Sequence, residues 1–286
     1  MVLSAIWGSS FALIKIAVDA GVAPLWVALW RCLFGMLALC AICLACRLPF
    51  PRDRVTWGHA LVVAALLNAV PFALLAHGET LVSSLTAGVL NATTPLATLI
   101  FAMALVPEEK PSARRFLGLA IGFAGVLVVL GVWEGLSGGS VTGSLFCLLS
   151  TACYGAGFAY TRRFFSGRAG SATALSAVQI GCATAELALV TPFIAGPPTW
   201  PGVHAAAGLL VLGSVGTGVA YILNLQVIQA VGPTVAASVT YVVPLWSTLI
   251  GALFLAEPLG WNTMAGGLLV IGGVLLVNRP SRQVRR

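Results

Sequence analysis

Charge is scarce in this chain. Asp, Glu, Lys and Arg together make up 8% of its 286 residues, against roughly a quarter in a soluble domain. Acidic residues number eight, and only two are aspartate, Asp19 and Asp53, far apart in sequence. That excludes the aspartate-rich metal motifs of a prenyl- or phospho-transferase. The three histidines, His59, His77 and His204, have no ligand spacing. A disulfide framework is lacking too: the seven cysteines are an odd number and all fall in apolar stretches. Cys40, Cys43 and Cys46 recur every third residue like a metal cluster, but no histidine or carboxylate follows nearby. They read as small apolar residues on a lipid-embedded helix. No metal site and no cofactor are expected.

What is present is apolar. Hydrophobic residues make up 59%, and the mean hydropathy is +1.01. A membrane span needs about 20 apolar residues, so ten spans would use about 200 positions and leave only short loops. No soluble catalytic or nucleic-acid-binding domain fits in the remainder. Apolar runs place the spans at 2–20, 24–46, 57–77, 82–106, 114–133, 142–163, 172–194, 203–224, 234–256 and 259–278. The first has neither the basic start nor the small-residue cleavage site of a signal peptide. It begins so near residue 1 that a short preceding segment is left open.

The net charge of +7 follows the same plan. Thirteen of fifteen basic residues lie in the connections after spans 2, 4 and 6 and in the tail 280–286 with Arg279 beside it. These all fall on one side of a ten-span chain, so both termini are expected in the cytoplasm. Lys15 and Arg31 are the two exceptions, inside spans.

The chain repeats itself at an offset near 149. Pro95 aligns with Pro244, Leu96 with Leu245, Glu108 with Glu257 and Gly118 with Gly267. Near the start of each half, Trp7-Gly8-Ser9-Ser10-Phe11 meets Tyr154-Gly155-Ala156-Gly157-Phe158. Each half, 1–135 and 140–279, holds five spans. Five is odd, so the second half is expected to run inverted through the membrane, as in secondary transporters with a site between repeats.

These residues resemble a known family. The Trp7–Phe11 motif, Arg31 in the second span and the Pro-Leu…Glu ending of spans 4 and 9 look like the drug/metabolite transporter superfamily. The likeness is to its ten-span exporters built from two EamA-type repeats, and among these to amino-acid exporters of the YddG type. The resemblance implies an all-α bacterial inner-membrane protein with cytoplasmic termini, a central cavity, alternating access and export of small metabolites.

Polar residues inside spans are costly and tend to face a bundle interior. Asn91, Thr94 and Thr98 share one face around Pro95, matched by Thr240, Tyr241, Pro244 and Ser247. They either present acceptors to a ligand or bond back to their own helix. Trp7 and Ser10 face one way in span 1, and Tyr154 is their counterpart; the aromatic pair either flanks a cavity or belongs to an interfacial belt. Trp26, Trp57, Trp133, Trp200 and Trp261 read as belt residues. His77 and Glu79 end span 3, either as a proton-coupling or ammonium-binding site or as an outer cap. Tyr221, Asn224 and Gln226 are candidate wall residues. Lys15, Asp19 and Arg31 are expected to form a structural ion cluster, with an anion-attracting mouth as the other reading. Glu186 has no evident partner. Pro71, Pro95 and Pro244 are candidate hinges. The glycines of spans 5 and 10 suit close packing, within the chain or across a dimer; the oligomeric state is open.

The expected function is export of neutral or aromatic amino acids. The alternative within the fold is a drug, sugar, purine or polyamine. An intramembrane enzyme lacks its constellation, and the repeat disfavours a channel or receptor.

Overall fold

The computed structural model of the chain describes residues 2–106, 113–129, 140–243, 246, 249, 250, 253 and 260–278. Among them every regular element is helical and none is a strand. Helix α1 (Val2–Asp19) turns at Gly21, whose φ of +83° suits glycine, into α2 (Pro24–Ala45). Pro24 opens α2, where its missing N–H costs nothing. Helix α3 (Arg54–Glu79) starts three residues before its expected first residue, 57, because Asp53 caps it, accepting from the Thr56 amide at 2.7 Å.

The fourth span, expected over 82–106 with a hinge at Pro95, is two helices. These are α4 (Ser84–Asn91) and α5 (Thr94–Leu105), broken at Ala92 and Thr93. Pro95 is the cause. It cannot donate to the Asn91 carbonyl one turn back, and the Thr94 hydroxyl donates to that oxygen instead, at 2.7 Å. Then come α6 (Ala113–Val129), α7 (Val141–Phe165), α8 (Ala172–Ala195) and α9 (Val203–Val231). Helix α9 continues beyond the expected end at 224. Helix α10 (Pro233–Ser238) runs into a tight turn at Val239–Tyr241, and α11 (Trp261–Asn278) closes the described chain.

Among the described residues seven helices are long and apolar enough to cross a membrane, α4 and α5 counting as one over Thr86–Leu105, and Met264–Gly273 is a shorter apolar stretch. The ninth expected span, 234–256, is described in part, over 234–243 and at four later positions, and Pro244 lies outside the described residues. The expected belt is uneven. Trp57, Trp200 and Trp261 are exposed, but Trp26 is buried and donates its indole N–H to the Gly196 carbonyl at 3.0 Å. Trp133 lies outside the described residues.

Among the described residues three helices contain a wide, π-type turn: Ala65–Ala69 in α3, Thr161–Phe165 in α7 and Ser214–Val219 in α9. Such a turn carries one extra residue and often marks a functional site. The turns in α3 and α9 fall at the repeat offset, since Ala65 plus 149 is Ser214.

Glycines set the closest helix contacts. A Cβ on Gly125 of α6 would sit 2.7 Å from the Gly266 carbonyl of α11, and one on Gly273 would crowd Gly118 and Gly122. The small residues of the fifth and tenth spans therefore pack against each other within the chain.

Candidate functional site

A central cavity opens between the two halves. Its walls come from α1 (Trp7, Ser10, Phe11, Ile14), α2 (Arg31), α3 (Leu67, Phe72, Leu75) and the broken pair α4 and α5 (Asn91, Thr94). The second half adds Tyr154 and Phe158 from α7, Tyr221 and Asn224 from α9, and Thr240. The volume is about 50 Å³. That is room for a few waters, well below the roughly 300 Å³ at the small end of ligand sites. Admitting an organic solute therefore requires the walls to move.

The aromatic residues form a connected set. Trp7 meets Tyr221 edge-on at 6.2 Å, and Phe72 meets Tyr221 at 6.3 Å. The Tyr221 hydroxyl donates to the Leu67 carbonyl at 2.7 Å. Pro71 explains that bond, because it has no N–H to give to the carbonyl one turn before it, within the wide turn of α3. Gln179 of α8 donates to Asn68 in the same turn at 2.7 Å. Asn224 is buried, and its Oδ1 has no hydrogen-bond partner among the described residues.

Arg31 differs from expectation. Lys15 and Asp19 do pair, at 3.2 Å, and Lys15 also donates to the Glu79 carbonyl at 3.1 Å. Arg31 does not join them. Seven residues into α2 place it roughly 10 Å from the turn, against roughly 6 Å for Lys15, four residues from the end of α1. It therefore reaches the cavity, 3% exposed, with its guanidinium 3.5 Å from the centroid of the Phe72 ring. Its Nε–H donates to Thr217 Oγ1 at 3.2 Å, in the wide turn of α9. No carboxylate lies within ion-pair distance of it among the described residues.

A desolvated cation–π contact contributes about 2 kcal/mol, and a charged hydrogen bond about 1.5–3 kcal/mol. Burying an ion costs several kcal/mol even after relaxation. The two contacts offset much of that cost, but no described anion neutralises the charge.

The other expected residues divide. Trp7, Ser10, Asn91, Tyr154, Tyr221 and Asn224 all line the cavity. Ser10 also bonds back to the Ile6 carbonyl, and Thr98 to that of Thr94. His77 and Glu79 are not on the cavity wall. His77 is exposed and sets its ring against Phe146, with centroids 4.6 Å apart, while Glu79 is buried elsewhere. Their adjacency at a helix end turns them to different sides. Gln226 is exposed, on the face of α9 away from Asn224. Glu186 is half-buried on α8, with a buried Oε2 that has no hydrogen-bond partner among the described residues. The side chain of Tyr241 lies outside the described residues. Sequence reasoning missed Phe11, Phe72 and Phe158 as wall residues; apolar side chains carry no mark that separates a cavity from a core.

The EamA-like transporter family matches this chain twice, over residues 1–131 and 141–279. The chain is a member of that family. Relatives share this scale. The uncharacterized transporter YvbV of Bacillus subtilis (strain 168) is 28% identical over 288 residues, 96% of this chain and 89% of its own length. The uncharacterized transporter YdfC of the same organism is 26% identical over 287 residues, 97% of this chain and 90% of its own. A solved crystal structure has the same fold, with a TM-score of 0.68 and 20% identity over 96% of each chain. The EamA-like chain is thus a multi-pass helical membrane protein of a transporter family, with one repeat in each half.

Proposed function

We propose that this EamA-like protein exports neutral or aromatic amino acids by alternating access, from a bacterial inner membrane with both termini in the cytoplasm. The observation that carries this reading is the cavity wall. It takes aromatic rings, amide groups and one guanidinium from both halves of the chain. Aromatic faces suit an apolar side chain, and polar groups at the same wall suit the ends of a zwitterion. A small cavity between repeats fits a contracted form that opens to one side at a time. The wide turns beside Pro71 and in α9, with the break at Pro95, are where the helices can bend.

Counterflow in proteoliposomes, with a panel of amino acids, sugars, purines and polyamines, tests it. Label accumulation with neutral or aromatic amino acids is the expected result. Accumulation with another class alone moves the substrate assignment to that class. Asn91→Ala is expected to slow amino-acid counterflow about tenfold, the equivalent of losing one polar contact of roughly 1.4 kcal/mol, with normal membrane expression. Wild-type rates would remove Asn91 from the site. Because His77 faces away from the cavity, His77→Gln is expected to leave the pH profile of transport unchanged. A flattened profile would restore it as a coupling group.

A further inference from the structure

Arg31 is a buried cation with no anion among the described residues. Its guanidinium lies on the Phe72 ring, one N–H is held by Thr217, and no described carboxylate is within 4.0 Å. Stacking uses the flat face of the guanidinium and leaves its edge, with the remaining N–H groups, for an acceptor in the plane. The same small cavity is lined by a second incomplete group, the Asn224 Oδ1, buried and without a partner among the described residues. The cavity therefore offers donors with a positive charge from α2 and a bare acceptor from α9.

We infer that Arg31 is the subsite for the carboxylate of the transported solute. This rests on the amino-acid reading above and deepens it. A carboxylate matches the guanidinium edge in bidentate geometry. Among the described wall residues Arg31 is the one charged group, so a carboxylate meets its cation there and the ammonium of the same solute is left to a neutral acceptor. Asn224 then accepts from the ammonium at the other end of the zwitterion, and the rings of Trp7, Tyr154 and Tyr221 face the side chain between them.

The test is calorimetric titration of the purified full chain in detergent with three probes. These are L-phenylalanine, L-phenylalaninamide, which lacks the carboxylate, and 3-phenylpropionate, which lacks the ammonium. Wild-type protein is expected to bind phenylalanine at least tenfold more tightly than the amide. Arg31→Gln is expected to weaken phenylalanine and 3-phenylpropionate by at least tenfold and leave the amide unchanged, while Arg31→Lys keeps part of the affinity. Asn224→Ala should weaken phenylalanine but not 3-phenylpropionate.

Equal binding of the amide and the acid, or no binding of either carboxylate, overturns the inference, and does so on wild-type protein even if Arg31→Gln does not fold. The two readings fail separately. Carboxylate binding that needs Arg31, with no counterflow, sinks the transport reading alone. Counterflow of phenylalanine and its amide at equal rates sinks the Arg31 assignment alone.

Discussion

Gly213→Ala is expected to destabilise the protein by about 3 kcal/mol or more, at the upper end of overpacking costs. The added Cβ would sit 2.5 Å from the Phe34 Cβ and 2.8 Å from the Arg31 carbonyl. Neither is the end of a flexible side chain, so α2 and α9 must part. Parting them pulls Thr217 from Arg31, so transport should fall with stability. Gly58→Ala, on the exposed face of α3 with nothing within 4 Å, supplies the opposite sign. Alanine there should gain up to about 1 kcal/mol from helix propensity. Melting followed by size-exclusion chromatography in detergent reads both. Equal melting of Gly213→Ala and wild type would mean that α2 and α9 do not meet as described.

Tyr221→Phe carries the second large effect. The ring contacts with Trp7 and Phe72 survive, but the Leu67 carbonyl loses its donor inside the protein. Leaving such a group unsatisfied costs roughly 1–3 kcal/mol. In a Pro71→Ala background the new amide stands one turn from that carbonyl and can take the place of the hydroxyl. The penalty of Tyr221→Phe should then shrink to a few tenths of a kcal/mol, a coupling that a double-mutant cycle measures directly. Identical penalties in the two backgrounds would show that the proline and the tyrosine act independently.

These two pairs mark where sequence reasoning reaches and where it stops. The scarcity of charge and the apolar runs make the helices and the repeated halves legible, because a bilayer admits few solutions. Asn91, Tyr154, Tyr221 and Asn224 are legible at the cavity for the same reason: a polar group in a span needs an interior. Arg31 stands apart from the expected cluster with Lys15 and Asp19 because depth in a span depends on distance from the turn, not on closeness in sequence. Counting rises from Pro24 puts it a turn deeper than Lys15. His77 and Glu79 look like a pair in sequence, yet neighbours on a helix diverge. The wide turns have no sequence mark of their own. Leu67 and Gly216 do not look alike, and only backbone geometry shows that each lies in an expanded turn beside a cavity residue.

The expanded turns of α3 and α9 have a mechanical consequence. One surplus residue in a helix is a dislocation, and a dislocation need not stay where it is. If it slides by one position, the residue it passes changes register and rotates by roughly 100°, the angle between successive residues at 3.6 per turn. The rest of the helix keeps its hydrogen-bond ladder. Thr217 and Leu67 sit inside these two dislocations. A short slide would therefore turn the anchor of Arg31 and the anchor of Tyr221 like a pair of keys, repointing both side chains without unwinding either helix.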